Sequence, residues 1–218
     1  MTAMQLKITL QDSRPPIWRR VLVNSEATFW DLHSIIQDLF GWQDEHLHNF
    51  RPFYKGAKEK RVYFEVPREN DRIGFITPRI IRDANYDERQ EKLTDWFDKK
   101  RNTYLYIYDF GDNWVHKIIL EKTLDRNDLK LAKYLSGTRL APKEDSRPEA
   151  WLDCTTFINS AKNNSSLWQE VLEHYSKIRA ERLLKKAQTE ANKPAPSRIN
   201  FSDPRKRYRT AKAMGMFD

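Results

Sequence analysis

The stretch YDFGDNWVHKI, residues 108–118, places Asp109, Asp112 and His116 where they could supply oxygen and nitrogen ligands to a metal, or a general acid and base, with Glu121 just beyond. A second group lies in FGWQDEHLHNF, residues 40–50. His46 and His48 are two residues apart, so on a strand they project from one face, with Asp44 or Glu45 beside them. Zinc normally takes at least three protein ligands, which makes His116 the candidate third donor. These residues would serve a metal-dependent nuclease. Each group also has a plainer reading. Asp-x-x-Asp-x-x-x-His matches no metal motif with a fixed rationale, whereas residues 109–113 suit a tight hairpin, with Gly111 supplying a positive φ and Asp112 and Asn113 tolerating left-handed geometry. Strand parity sets His116 beside Trp114, Ile118 and Leu120, on a core face. For His46 and His48 the alternative is polar and aromatic packing at a helix-to-strand junction. His33 and His174 have no cluster around them in the sequence and read as surface or packing residues.

The elements that must position these groups follow from periodicity. MQLKITL alternates apolar Met4, Leu6, Ile8 and Leu10 with polar residues, the pattern of a half-buried strand, and IWRRVLV after Pro15 and Pro16 predicts a second. Thr28 with Asp31 three residues on, an apolar stripe of Phe29, Leu32, Ile36, Leu39 and Phe40, and then Gly41 predict a capped helix. HLHNFRPFY and RVYFEV predict two more strands, and TYLYIYDF with WVHKIILEK an antiparallel hairpin around 109–113. Residues 69–91 read mostly as loop, and 92–98 as a short helix. Beyond Thr123 the pattern turns helical, in EAWLDCTTFINSA and SSLWQEVLEHYSKIRAERLLKKAQ. The expected architecture is α+β: a mostly antiparallel sheet with one principal helix packed on it, followed by C-terminal helices and a basic irregular tail. The expected units are 1–124, a helical extension over 125–192, and a flexible tail over 193–218.

Composition bounds the function. With 39% hydrophobic and 12% aromatic residues in 218, the chain can bury a core. A single cysteine, Cys154, rules out an internal disulfide and a cysteine-rich zinc site, and points to a reducing compartment, read as cytoplasmic. No signal peptide or membrane span is evident. No P-loop or dinucleotide-binding glycine motif appears, and six glycines leave little material for one, so no cofactor is expected. Residues 177–218 carry twelve Lys or Arg against four acids, and the remainder carries 27 of each, so the whole net charge of +8 sits in the C-terminal fifth. Such an extension is attracted to polyanions. Lys185, Lys186, Arg198, Arg205, Lys206, Arg207 and Arg209 are the candidate phosphate contacts, with Tyr208 available to stack. In PPIWRRV, Trp18 and one of Arg19 and Arg20 could do the same on an exposed sheet face.

PPIWRRV at 15–21, FGWQDEHLHNF at 40–50 and YDFGDNWVHKI at 108–118 together resemble the plasmid pRiA4b ORF-three-like family, in order and in spacing, over residues 4 to about 124. Its members are also described as TnpR-type passenger proteins of insertion elements. The resemblance implies an α+β domain and association with plasmids and transposons, and carries no agreed enzymatic activity. Family members often continue into a cysteine-containing segment; here Tyr134, Ala141 and Ser146 stand at the corresponding places. The resulting expectation is a non-enzymatic accessory protein of a mobile element. Its α+β domain would recognise a protein partner and its basic tail would bind DNA or RNA without sequence preference. The alternatives are a pure protein-interaction module and the metal-dependent nuclease above.

Overall fold

A computed structural model describes residues 2–13, 15–53, 62–66, 84–126, 128–144 and 192–206, with scattered positions between 163 and 189. Strands β1 (Thr2–Leu10) and β2 (Ile17–Asn24) form a hairpin and lead into helix α1 (Phe29–Phe40). Then come β3 (His48–Pro52), β4 (Val62–Glu65), β5 (Ala84–Asp87), the one-turn α2 (Leu93–Trp96), β6 (Thr103–Tyr108), β7 (Trp114–Asp125) and β8 (Ala132–Thr138). Among the described residues these eight strands join one sheet in the order β5-β4-β3-β6-β7-β1-β2-β8.

This corrects the expected architecture. The sheet is mixed, because β4 and β5 pair in parallel, and the helices are short, so a mostly antiparallel sheet with one principal helix does not describe the chain. The two strands that periodicity missed are both at edges. ANYD at 84–87 lies in a stretch read as loop, and AKYLSGT at 132–138 in one read as helical. Edge strands have one partner and a half-solvated pattern, so their sequences carry a weak signal and the neighbouring strand decides. Since β8 pairs with β2, the sheet extends past residue 124. The helix expected over 149–161 lies outside the described residues, as does most of the later one; its described positions, among them Trp168, Ala180 and Lys185, are helical.

The local signals of α1 act as physics requires. Thr28 and Asp31 form a reciprocal capping box, and Gly41 closes the helix with φ of 74°, a left-handed conformation that costs glycine nothing. The last turn contains no basic residue of its own. Arg19 from β2 supplies it: fully buried, it donates from Nε to the Leu39 carbonyl at 3.0 Å and from Nη1 to the carbonyls of Trp18 and Thr138. A cation at the carbonyl end of a helix is stabilising, and three acceptors offset its burial. Gly137 makes room, since a Cβ there would come within 2.9 Å of the Arg19 side chain and 2.8 Å of the Trp18 carbonyl. The core lies between α1 and one sheet face, where Leu6, Ile8, Val21, Phe29, Leu32, Ile36, Phe50, Tyr104 and Ile118 are buried.

Residues 192–206 run as an irregular strap along the body. The Lys193 carbonyl accepts from Leu140 N, Ile199 and Phe201 pack on the core, Asp38 accepts twice from Ser202, and the Pro204 carbonyl accepts from Trp30 Nε1. No helix among the described residues is long and apolar enough to cross a membrane.

Candidate functional site

The hairpin 109–113 is built differently from the expected turn. Asp109 and Asn113 take the positive φ values, 54° and 56°, and Gly111 does not. Asp109 Oδ1 accepts from the backbone N–H groups of Gly111 and Asp112, and a Cβ on Gly111 would sit 3.2 Å from that oxygen. The glycine therefore serves the close approach of a carboxylate that caps the turn. Asp112 contributes its backbone N–H to this arrangement. Glu121 lies on the far side of the sheet, paired with Arg20 at 2.7 Å; that pairing holds its carboxyl at about 2, despite some burial.

The three candidate histidines do not meet at one point. His46 is about one-third exposed, 3.8 Å from Asp109 and edge-on to Tyr108. His116 is fully buried between Phe40, Trp42 and Tyr106, with no aligned hydrogen bond at either ring nitrogen. Burial drives its pKa down to about 3, against weaker upward pulls from the Trp114 and Tyr106 backbone, so the ring is neutral.

His48 instead joins His33, which no motif or spacing singles out. The two imidazoles stack at 3.6 Å between centroids and 2° between planes. His33 Nε2 lies 2.9 Å from Asp44 Oδ1, and His48 Nε2 lies 2.9 and 3.1 Å from the two oxygens of Glu88. All four side chains are buried or nearly so. One donor atom from each of His33, Asp44 and His48 falls within 4.8 Å of the others. The environment splits the two histidines. Burial lowers His33, whereas for His48 the burial effect is outweighed by Glu88 and Asp44 and the net shift is upward. A cationic His48 paired with Glu88, beneath a neutral His33, is the charge state this favours.

Four elements hold this cluster. His33 comes from the buried face of α1, His48 opens β3, and Glu88 follows β5. Asp44 sits in the α1–β3 connection with φ of 67°. Gln37 Oε1 accepts from Asp44 N, and Gln37 Nε2 donates to the Tyr106 hydroxyl, which lies 2.9 Å from His33 Nδ1. The connection is pinned further by Tyr108, whose hydroxyl accepts from Glu45 N and donates to Glu144, and by Trp42, which donates to the Pro142 carbonyl.

The other sheet face carries a run of basic side chains, several of them half-buried. Cross-strand register places Lys7, Trp18, Arg20, Lys117 and Arg51 on it, with Gln5, Thr9, Leu105, Ile107 and Ile119 between them. Lys7 and Arg20 lie 5.3 and 5.0 Å from the Trp18 ring centre, and Lys117 lies 4.9 Å from that of Phe53. Lys122 and Lys133 extend the face through their pairing with Gln5 and Leu22. Of the tail cations, Lys185, Arg198, Arg205 and Lys206 are exposed, and Lys186, Arg207, Tyr208 and Arg209 lie outside the described residues.

The fold and site define a mixed-sheet protein with short helices, a buried histidine–carboxylate cluster beneath one helix and a cationic sheet face opposite. The chain belongs to the plasmid pRiA4b ORF-3-like protein family, whose profile matches residues 2–177. It is 31% identical over 144 residues to the uncharacterized protein y4hQ of Sinorhizobium fredii (strain NBRC 101917 / NGR234), a match spanning 66% of each chain. The crystal structure of MM3350 from Methanosarcina mazei Go1, a protein of unknown function, is similar with a TM-score of 0.59 and 29% identity, over 72% of this chain and 82% of that one.

Proposed function

We propose that this protein is an accessory protein of a plasmid or transposon that binds nucleic acid through the cationic sheet face and the basic C-terminal region, in keeping with TnpR-type passenger proteins of insertion elements. The observation that carries the reading is the arrangement around Trp18. Lys7 and Arg20 flank an indole on a face otherwise made of small polar and aliphatic groups, and Lys117 repeats the device at Phe53. Cations beside aromatic rings on a sheet face suit a single strand, with phosphates neutralised by the cations and a base stacked on a ring. The Glu121 carboxylate holds Arg20 in place through two hydrogen bonds, which leaves Lys7 and Lys117 as the more available charges. The tail adds a charge-driven term without sequence preference.

Fluorescence anisotropy with labelled mixed-sequence single strands and duplexes, across a salt series, tests this. Binding is expected to weaken steeply with salt and to favour the single strand. Trp18→Ala should weaken it by about 1–3 kcal/mol. The double variant Lys7→Glu, Lys117→Glu should weaken it further and flatten the salt dependence. Tail truncation is best placed after Lys206, since residues 193–206 include Ile199, Phe201 and Pro204, which cover the body. Absence of binding at low salt overturns the reading. Stable co-purification of a protein, released by the same sheet-face variants, would replace it with protein recognition.

A further inference from the structure

We propose that His33, Asp44 and His48, with Glu88 completing the set, bind one divalent cation of the zinc class. The donor chemistry fits: two neutral imidazoles and two carboxylates neutralise a dication and match the nitrogen and oxygen preferences of zinc, cobalt and manganese. The donors are already gathered within 4.8 Å, and contraction to the roughly 2 Å bonds of a zinc site needs the stacked rings to part and the side chains to turn, with no strand exchange.

Two features distinguish this cluster from ordinary core polarity. First, His33 is fully buried and its Nε2 points into the cluster close to Asp44, yet it makes no aligned hydrogen bond there. That nitrogen and the Asp44 carboxylate face each other at 2.9 Å inside the core, and a cation between them would engage both. Second, an outer layer is in place. Gln37 donates to Tyr106 and accepts from the Asp44 backbone, and the Tyr106 hydroxyl meets His33 Nδ1. With a cation on Nε2, the His33 proton moves to Nδ1 and is donated to the Tyr106 oxygen, the kind of outer-shell support that orients metal-bound histidines. The partner of His48 Nε2 is Glu88, so an ion entering between them exchanges a proton for a metal without creating an unpaired charge. The four side chains are buried, which suits a structural ion.

The test uses the full chain, stripped with a chelator and titrated with cobalt(II) and zinc(II) alone. The expected result is one ion per chain, visible d–d absorption from cobalt without thiolate charge-transfer, and displacement by zinc. Imidazole nitrogen NMR of the unsubstituted protein should report shifts at His33 and His48 among the five histidines, and at no other. Asp44→Asn and His48→Gln should each weaken binding beyond the ~10- to 100-fold that an outer-shell loss costs, Tyr106→Phe should fall within that range, and His46→Ala should change nothing. Uptake below one ion per chain, shifts at other histidines, or unchanged affinity in Asp44→Asn overturns the proposal. Should a variant fail to fold, the NMR of the unsubstituted chain still decides.

Discussion

Tyr106 stands between two histidine environments that share burial and almost nothing else. On one side His116 lies among Phe40, Trp42 and Tyr106, and no carboxylate among the described residues shifts it. On the other, His33 and His48 stack on each other with Asp44 and Glu88 at their edges. Burial alone makes an imidazole an aromatic filler that stays neutral well below pH 6.5. Burial with acidic partners makes it a proton or metal binder. Position on the same sheet face therefore does not predict a histidine's chemistry; the charges that reach it do.

The largest effect that would sharpen this contrast comes from deleting one partner. In metal-free protein, His48→Ala leaves Glu88 buried without its ion pair and should cost about 3–5 kcal/mol in denaturant unfolding. A cost below ~1 kcal/mol would mean that Glu88 finds solvent and that the two environments differ less than described.

Next comes pH. The folded pKa of His116 lies at about 3, below the ordinary 6.5, so the unfolded chain takes up a proton first as pH falls. Its neutral ring contributes fully above pH 6.5, and that contribution declines between 6.5 and 3, by up to about 5 kcal/mol in all. His33, also lowered by burial, adds to the same acid limb, so His116→Phe should shrink the limb without abolishing it. His48 has the opposite sign. Raised above 6.5 by Glu88 against the effect of burial, it stabilises most below 6.5, and that contribution is lost as pH rises through its folded pKa. Urea titrations at several pH values on His116→Phe and His48→Gln separate the limbs; an acid limb of full size in His116→Phe would contradict the assignment.

Tyr106→Phe should cost about 1–2 kcal/mol, because it strips a shared partner from His33 and Gln37 while keeping the ring that packs on His116. Thermal unfolding measures it, and a null effect would make the hydroxyl incidental. Smallest is Glu121→Gln on the cationic face, expected at ~0.2–1 kcal/mol and screened by salt, since Arg20 and Glu121 are both partly solvated. A larger cost would imply that this face is covered.

Much of the frame was legible in particular residues. The alternation in β1, the Thr28–Asp31 box with Gly41, and the β6–β7 hairpin are local patterns, and local sterics and hydrogen bonding decide them. The strand β8 was not legible, because it is held by register against β2 and by the contact of Gly137 with Arg19. His48 was visible as a candidate through its strand spacing to His46, yet that spacing paired it with the wrong histidine. His46 reaches outward to Asp109, and the partner of His48 is His33, fifteen residues earlier on a helix. Asp44 carried a hint only through its neighbours, and Glu88 carried none, since its role depends on β5 joining the sheet edge beyond β4.

The sequence by itself determined most of the central strands and the capped helix α1, the concentration of positive charge at the C-terminus, and the three blocks that mark the family. These depend on neighbours a few residues apart, where steric preference and side-chain period act directly. Only the tertiary structure decided which polar side chains share a dry interior. The donors at 33, 44, 48 and 88 come from four elements, and their separation is set by how α1 lies over the sheet and how β3, β4 and β5 align. Electrostatic coupling acts through space in a low dielectric, so a histidine's partners are fixed by the fold and leave no trace in the spacing of the chain.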